Sequence, residues 1–232
     1  MLFLGGIMQF SAAAEKRYVE KLCDLPDYEC ITVKSGDTWE RLWPDAEQRD
    51  IVRRVNRMNT HLYRGMKIAV PKNLADLTIY DVAPFPRYVE ATGEKTIFVS
   101  QKELAWAAYD MEGELVWWGP ISSGKNYCSD VGASCKTPGG NFRIIRKQDI
   151  SCVSTAFPRR RSGRHGGAPM PYCMHFFRGY ALHGSTDVPG RRDSHGCIRL
   201  FIEDAKWLNQ EFIEVPRQGS KGTRIIVEAV DK

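Results

Sequence analysis

The chain has 232 residues, of which 43% are hydrophobic and 26% charged, and its formal net charge at pH 7 is +5. This composition is typical of a globular protein with room for one medium domain and a small module, and it excludes extended disorder. The modest positive charge permits an acidic polymer as partner. Because the sequence has no Walker loop, no GxGxxG pattern and no aromatic-basic signature, we expect no nucleic-acid partner.

The N-terminal segment MLFLGGIMQFSAAA, residues 1–14, is apolar and precedes the first charged side chain, Glu15. It is shorter than the roughly 20 apolar residues that a membrane-spanning helix needs. Its length and its small residues before Glu15 favour a secretory signal peptide, although no Lys or Arg precedes the apolar run. We therefore expect a cleaved signal at 1–14 and an N-terminal extension at 15–30. A retained short anchor and a wrongly assigned start are the alternatives.

The seven cysteines support export independently, because disulfides form in oxidising compartments. Two pairs lie seven residues apart in the turn-like stretches CDLPDYEC and CSDVGASC, so each can close a local loop. Zinc binding is the alternative, but the close ligand spacings CxxC and HExxH are absent, so we expect no metal site. The expected location is the periplasm or the cell wall. The expected pairs are Cys23–Cys30, Cys128–Cys135 and Cys152–Cys173, which leave Cys197 as a free thiol.

Residues 31–71 contain a strand-helix-helix-strand pattern. ITVK alternates like a strand, Gly36 and Asp37 turn the chain, and Thr38 can cap a short helix. Apolar residues then recur at helical spacing, and KIAV returns as a strand before Pro71. These features predict a small α+β module of the order βααβ.

The GDT turn, the NRMN run and LYRGMKIAVP make this module similar to the peptidoglycan-binding LysM family over nearly its whole length. The resemblance implies a shallow groove for glycans that contain N-acetylglucosamine. Carried over by position, the groove residues are Gly36, Asp37, Thr38, Asn56, Asn59 and Leu62. The next segment, residues 72–95, is rich in Pro and charge, and we interpret it as a linker or as an extension that embraces the larger domain.

Residues 96–232 show mostly β signals, which are short β-branched or aromatic runs separated by Gly, Pro, Asp and Ser. MEGE between two of these runs is a candidate hairpin turn. IEDAKWLNQEFI, at 202–213, has the apolar spacing of a helix. We therefore expect a mainly β domain, built as a curled and largely antiparallel sheet with one helix.

Within this domain His183 and Cys197 are fourteen residues apart, each at the edge of a strand-like run. A free thiol has a pKa of about 8.5, so a nucleophilic cysteine needs a base such as imidazole. Gly196 lets a substrate carbonyl approach the backbone, and the amides of Gly196 and Cys197 can form an oxyanion hole. Arg199, two residues beyond Cys197 in an extended strand, points to the same side and can hold a carboxylate.

Each of these residues also has a purely structural explanation. A buried cysteine is often an inert small hydrophobic residue, and a histidine beside glycine is often part of a turn. Arg199 can pair with Asp204 or Glu203 for structural reasons. The ordered combination, and no single residue, favours a catalytic site.

The HG pair followed by SHGCIRL is similar to the active-site signature of the L,D-transpeptidase (YkuD-like) catalytic domain. SSGK at 122–125, KTPGGNFRI at 136–144 and GGAPMPYCMHFFRGYALHG at 166–184 stand in that family's order, and the resemblance covers 96–229. It implies a cysteine acyltransferase that acts on peptidoglycan stem peptides, with Cys197 as nucleophile, His183 as base, and no metal or organic cofactor.

The resemblance also implies roles for the neighbouring residues. A backbone carbonyl orients the imidazole in this family, here that of Gly184 or Ser185. The residues that match the motif positions of the oxyanion hole and substrate subsite are Ser194, His195, Gly196 and Arg199. This chain departs from the family pattern in its extra cysteines and in the basic insert PRRRSGRHGG. The insert is either part of a lid over the cleft or a solvated loop, and we favour the solvated loop.

Several functions remain open at this point. The acyl acceptor can be an amine of a second stem, which gives a 3-3 cross-link, or an amine of an outer-membrane or wall-anchored protein. With water as acceptor, the same cysteine would act as an L,D-carboxypeptidase. The alternative from another class is a non-catalytic wall-binding scaffold in which Cys197 is structural.

Overall fold

The computed structural model describes residues 17–158 and 166–230. The expected signal peptide at 1–14 and most of the basic insert therefore lie outside the described residues. Within those two ranges, none of the helices combines the length and the apolar character needed to cross a membrane.

The described residues form four α-helices and eleven β-strands. The first part contains α1 (Val19–Leu22), β1 (Tyr28–Thr32), α2 (Trp39–Leu42), α3 (Ala46–Val55) and β2 (Lys67–Pro71). A short 3-10 helix follows at Leu74–Asp76. The second part contains β3 (Thr96–Ser100), β4 (Ala105–Tyr109), β5 (Leu115–Ser122), β6 (Gly140–Arg143), β7 (Arg146–Lys147), β8 (Met174–Phe177), β9 (Tyr180–Gly184), β10 (Ile198–Leu200), α4 (Ile202–Trp207) and β11 (Arg224–Val227).

The N-terminal module, residues 28–71, has the βααβ order that the sequence predicts, although its first strand starts at Tyr28. β1 and β2 pair antiparallel. Thr38 caps α2 by accepting a hydrogen bond from the Arg41 amide, and Asp45 caps α3 in the same way. The module is therefore a two-stranded sheet covered by two capped helices.

This module does not stand apart from the larger domain. Ile51 and Val55 of α3 lie in the same apolar core as strands β3, β4 and β9. Arg54, on the same helix, forms a buried ion pair with Asp204 of α4 at 2.9 Å. The two parts share one core, so the module is fused to the domain that it precedes.

Residues 72–95 pack against the larger domain in the manner of an extension and not of a free linker. The Trp118 indole donates to the carbonyl of Ile79 at 2.6 Å, and the Tyr109 hydroxyl donates to that of Pro86 at 2.9 Å. Phe85 packs edge-on against Phe98 of β3. These contacts seal one face of β3–β5 against solvent.

The larger domain is a single curled sheet in the order β6-β11-β3-β4-β5-β10-β9-β8-β7. Most neighbours are antiparallel, as predicted, but β10–β9 and β11–β3 are parallel. β6 and β7 form opposite edges of the sheet, yet only residues 144 and 145 separate them in the chain. The two edges must therefore lie next to each other, and the Phe142 ring of β6 packs at a tilt against the Phe176 ring of β8, the neighbour of β7.

The local predictions for this domain are confirmed with small changes in their bounds. The MEGE stretch forms the turn between β4 and β5, where Gly113 has a φ of +85°. The predicted helix at 202–213 is α4 followed by a π-helical turn at Leu208–Phe212. The structure contains three disulfides, Cys23–Cys30, Cys128–Cys135 and Cys152–Cys173, and Cys197 is a free thiol.

Candidate active site

The parallel pairing of β9 with β10 creates the candidate site. Arg199 lies opposite His183 in this pair. Cys197 comes two residues before Arg199, and alternate residues of an extended chain share a face, so its side chain is on the same side as both. The three side chains line one cleft of about 170 Å³ together with Ser185, Ser194 and His195.

Cys197 lies where this cleft meets a second and larger one. The second cleft, of about 510 Å³, is also lined by Cys197 and His195 and extends towards Arg146 and His175. A nucleophile at such a junction can be approached from two sides. The arrangement suits a two-step transfer, in which one molecule leaves and another enters.

His183 is held as a neutral base. Its Nδ1 lies 3.0 Å from the Gly184 carbonyl, which can only accept, so Nδ1 carries the proton and Nε2 has a lone pair. The pKa of His183 is lowered to about 4, mainly by burial and in smaller part by the charges of Arg199 and His175, against the raising effect of the Gly184 carbonyl. The imidazole is therefore neutral at pH 7 and can accept a proton.

Cys197 rests as a neutral thiol. Burial raises the pKa of its thiol, while the Ala181 backbone and the Arg199 charge act in the opposite direction. Its Sγ lies 3.7 Å from the Gly179 carbonyl, a weak contact. Because the pKa of His183 is low and that of Cys197 is high, the pair does not form a thiolate-imidazolium ion pair at rest.

The backbone conformation just before Cys197 requires a glycine at position 196. Its φ is +115°, and a Cβ at this position would lie 2.6 Å from Cε1 of the Tyr180 ring. Its carbonyl accepts from the Thr137 hydroxyl at 2.7 Å, and its amide donates to the Ser194 hydroxyl at 3.0 Å. The Gly196 amide is thus already engaged, and of the two amides predicted for the oxyanion hole that of Cys197 remains.

Ser194 and His195 support the loop that carries the nucleophile. The Ser194 hydroxyl donates to the Cys197 carbonyl at 2.5 Å, which closes a tight turn. His195 Nε2 lies 2.8 Å from the Asp130 carboxylate, and its ring packs on Phe157. Cys128 approaches these two groups within metal-ligand range, but its sulfur is bonded to Cys135, which removes it as a ligand.

Arg199 is paired with Asp187, and not with Asp204 or Glu203 as the purely structural alternative would have it. Its Nη1 donates to the Asp187 carboxylate at 2.6 Å and to the Asp187 carbonyl at 3.2 Å. Asp204 is unavailable because Arg54 binds both of its oxygens. Arg199 therefore borders the cleft with an exposed acidic partner that a substrate carboxylate can replace.

The residues predicted for a glycan groove divide into two groups. Gly36, with a φ of +84°, Asp37 and Thr38 form the exposed turn before α2, and Leu62 is half-buried near it. Asn56 is fully buried, and its amide bonds Val52 and both backbone groups of Ala69.

Asn59 is committed elsewhere as well, because both ends of its amide bond the loop after His183. Asn56 is therefore enclosed within the module, whereas Asn59 is half-buried and uses these two hydrogen bonds to hold the loop. The turn before α2 is the most accessible part of the predicted groove.

Residues 94–227 match the family model of the YkuD L,D-transpeptidase catalytic domain. The match includes the whole curled sheet and every residue of the cleft, and it covers more than half of the chain. The chain belongs to the YkuD family. It is therefore an enzyme of the L,D-transpeptidase type.

Solved L,D-transpeptidase structures are similar to this chain at low identity, and the first of those below shares its fold. An L,D-transpeptidase of Xylanimonas cellulosilytica is 21% identical, with a TM-score of 0.54 over 77% of this chain and 78% of that one. The Enterococcus faecium enzyme is 22% identical, with a TM-score of 0.44 over 58% of this chain and 50% of that one. A Mycobacterium smegmatis enzyme is 18% identical, with a TM-score of 0.44 over 94% and 88%. No curated protein matches the sequence.

Several residues of this YkuD site were missed by the sequence reasoning. Tyr180 and Thr137 fix Gly196, Asp130 holds His195, and Asp187 pairs with Arg199. Thr137 and Tyr180 lie inside quoted family segments, so their position in those motifs could have marked them. Asp130 and Asp187 lie in loops with no periodic pattern, and only the fold shows where they point.

Proposed function

We propose that this YkuD enzyme is a peptidoglycan L,D-transpeptidase in which Cys197 carries the acyl group. The observation that supports this most directly is the cleft that presents Cys197, His183 and Arg199 together. A thiol, a neutral imidazole and a guanidinium on one face supply a nucleophile, a base and an anchor for a carboxylate. This combination suits acyl transfer from a peptide stem that ends in a carboxylate.

The first half-reaction removes the terminal residue of the stem. His183 Nε2 takes the proton from the Cys197 thiol as sulfur attacks the carbonyl before the terminal D-alanine. The Cys197 amide stabilises the developing oxyanion. The carbon-nitrogen bond then breaks, His183 returns the proton to the leaving amine, and D-alanine departs from a thioester.

The second half-reaction passes the acyl group to an acceptor. An amine attacks the thioester, His183 accepts its proton, and the proton returns to the Cys197 sulfur as the carbon-sulfur bond breaks. The neutral state of His183 at pH 7 supports this scheme, because the imidazole must begin each half-reaction without a proton. The second cleft at Cys197 gives the acceptor a path distinct from that of the donor.

The acceptor that we favour is an amine of a second stem, which gives a 3-3 cross-link, or of a wall-anchored protein. Water as acceptor would make the enzyme an L,D-carboxypeptidase. The full chain is incubated with disaccharide-tetrapeptide, and the products are identified by mass spectrometry. Tripeptide dimers with free D-alanine support the transpeptidase, and tripeptide alone supports the carboxypeptidase.

Two variants test the mechanism in the same assay. Cys197→Ala is expected to abolish D-alanine release, and His183→Gln to reduce it by at least about a hundredfold. Trapping of Cys197 by a carbapenem would show the acyl-enzyme chemistry directly. Unchanged turnover in Cys197→Ala would rule the mechanism out and favour a wall-binding scaffold.

We also propose that the N-terminal module binds glycan strands as a LysM module and that the enzyme works in the periplasm or cell wall. The βααβ order, the GDT turn and the disulfides support this. The chain is sedimented with purified peptidoglycan, and variants at the half-buried Leu62 and at its exposed neighbour, Leu62→Asp and His61→Asp, are compared. Loss of sedimentation in Leu62→Asp alone is expected, and equal binding by both variants would contradict the groove.

A further inference from the structure

The loop that follows His183 is bound by the N-terminal module. We call residues 185–190 the docked loop. Asn59 lies just beyond α3, and its side-chain Nδ2 donates to the Ser185 carbonyl at 2.8 Å. Its Oδ1 accepts from the Val188 amide at 2.9 Å, and its own backbone amide donates to the Val188 carbonyl at 3.0 Å. One asparagine thus closes a four-residue turn from outside.

Further contacts hold the docked loop from the same side. Met58 and Pro189 form an isolated antiparallel β-bridge through their backbones. The Tyr18 amide donates to the Gly190 carbonyl at 2.7 Å. Gly190 has a φ of +72°, and a Cβ there would lie 2.9 Å from the Asn56 carbonyl. The docked loop therefore takes its shape from residues that lie outside the catalytic domain.

The docked loop in turn holds the anchor of the cleft. Asp187 lies inside the turn that Asn59 closes, and its amide donates to the Ser185 hydroxyl at 3.0 Å. The Asp187 carboxylate and carbonyl both accept from Arg199 Nη1. A chain of direct hydrogen bonds thus runs from Asn59 through the turn to Asp187 and on to Arg199.

We infer that Asn59 is a positioning residue for the transpeptidase reaction, and that the N-terminal module sets the orientation of Arg199 through Asn59 and the docked loop. This inference rests on the proposed function, in which Arg199 binds the stem carboxylate. Asn59 does not touch the substrate. Its effect reaches the cleft only because Ser185, Val188 and Asp187 form one turn.

The first experiment tests the link between Asn59 and the loop without substrate. Amide hydrogen exchange is measured on the full chain for wild type, Asn59→Ala and the control His61→Ala, an exposed neighbour. Loss of the two side-chain hydrogen bonds is expected to accelerate exchange in 185–190 by about tenfold or more. His61→Ala is expected to match wild type. Unchanged exchange in Asn59→Ala would overturn the inference, whatever the enzyme's activity.

The second experiment tests the link to Arg199 by a double-mutant cycle on D-alanine release. Asn59→Ala is expected to raise KM about three- to thirtyfold with a smaller effect on kcat, because a misplaced Arg199 binds the carboxylate less well. In an Asp187→Ala background the same change is expected to have a smaller effect, because the carboxylate contact to Arg199 is already lost and only the 3.2 Å contact to the backbone carbonyl remains.

A merely structural role for Asn59 gives a different pattern. Equal effects in both backgrounds, or a fall in kcat with constant KM, would overturn the inference. The rate at which iodoacetamide labels Cys197 is expected to stay within about twofold of wild type, which shows that the nucleophile is intact. If wild type itself releases no D-alanine, the proposed function fails, while the exchange experiment still decides the role of Asn59 in the docked loop.

Discussion

Arg54 and Asp204, 150 residues apart in the chain, form a bidentate ion pair whose side chains are 2% and 1% exposed. The Arg54 guanidinium also donates to the Trp118 carbonyl at 2.7 Å, and the Trp117 indole donates to Asp204 at 3.0 Å. The pair joins helix α3 of the N-terminal module to helix α4 beside the catalytic sheet. Folding of the two parts is therefore coupled.

Breaking this pair is expected to destabilise the whole chain. Arg54→Met keeps most of the volume but leaves the Asp204 carboxylate buried without its cation, which lowers the free energy of unfolding by about 3–5 kcal/mol. Urea denaturation measures the change. Arg54→Met with Asp204→Leu is expected to recover most of the loss, because the charge that remains without a partner, Asp50, is partly exposed to solvent. A double variant as unstable as the single one would assign the effect to packing instead.

The pH dependence of thiol labelling distinguishes a neutral pair from an ion pair. Burial raises the pKa of Cys197, so labelling by iodoacetamide is expected to keep increasing above pH 8.5, the approximate pKa of an ordinary thiol. Removing the nearby charge in Arg199→Gln is expected to move the profile to still higher pH. A plateau reached below neutral pH in wild type would show a resting thiolate and contradict the neutral pair.

Two buried histidines are expected to limit stability in acid. Burial lowers the pKa of His175 and of His183 to about 4 in the folded chain, whereas an unfolded histidine has a pKa of about 6.5. The unfolded chain therefore binds protons first, and stability falls as the pH decreases from about 6.5 to 4, by about 3 kcal/mol for each histidine.

Urea denaturation between pH 4 and pH 8 measures this loss. His175→Phe is expected to flatten the curve by about half, because one of the two groups no longer titrates. The exposed His61 is the matched control, and His61→Phe is expected to leave the slope unchanged. An equal slope in His175→Phe and wild type would contradict the lowered pKa.

Gly196→Ala is expected to reduce turnover strongly while the protein still folds. The new Cβ would clash with the Tyr180 ring, and the alanine would have to adopt the positive φ of Gly196. Together these lower the free energy of unfolding by about 1–3 kcal/mol. Gly219→Ala, which has a φ of +84° and open space, is the control for backbone strain alone. If Gly196→Ala and Gly219→Ala have equal kcat/KM, crowding by Tyr180 does not matter to the site.

The Cys128–Cys135 disulfide is expected to support activity as well as stability. Replacing both cysteines by serine frees the loop that carries Asp130, so His195 loses its partner and turnover falls. The matched control is serine at Cys23 and Cys30, since both bridges span seven residues. Each double variant is expected to lose about 2 kcal/mol of stability, but only the first to lose turnover. Equal turnover in the two double variants would show that the Cys128–Cys135 disulfide does not affect the site.

Local patterns in the sequence were sufficient for most of the fold. Short β-branched or aromatic runs mark the strands of the larger domain and helical spacing marks 202–213, because each pattern reflects how one element is buried. The motif SHGCIRL and the upstream His183 likewise predict the pair of side chains, Cys197 and His183, that the structure brings into one cleft. These features depend on neighbours in the chain, which the sequence displays directly.

The contacts that unite the two parts could not be predicted in this way. Arg54 meets Asp204 and Asn59 meets Ser185 across 150 and 126 residues. Their side chains are common at solvated positions, and no periodicity marks them as buried or paired. For the same reason Arg199 was assigned to acidic residues close by in the chain, whereas the fold gives it Asp187.

The position of β11 has a consequence for how the chain acquires its structure. This strand, at Arg224–Val227, follows every other strand of the sheet in the chain, yet it lies between β6 and β3 inside the sheet. The sheet cannot be completed until β11 has joined it, and pairs so distant in the chain are slow to form. A truncation that removes only the last nine residues of the sequence would therefore leave β3 and β6 with unpaired edges, and we expect such a chain to aggregate.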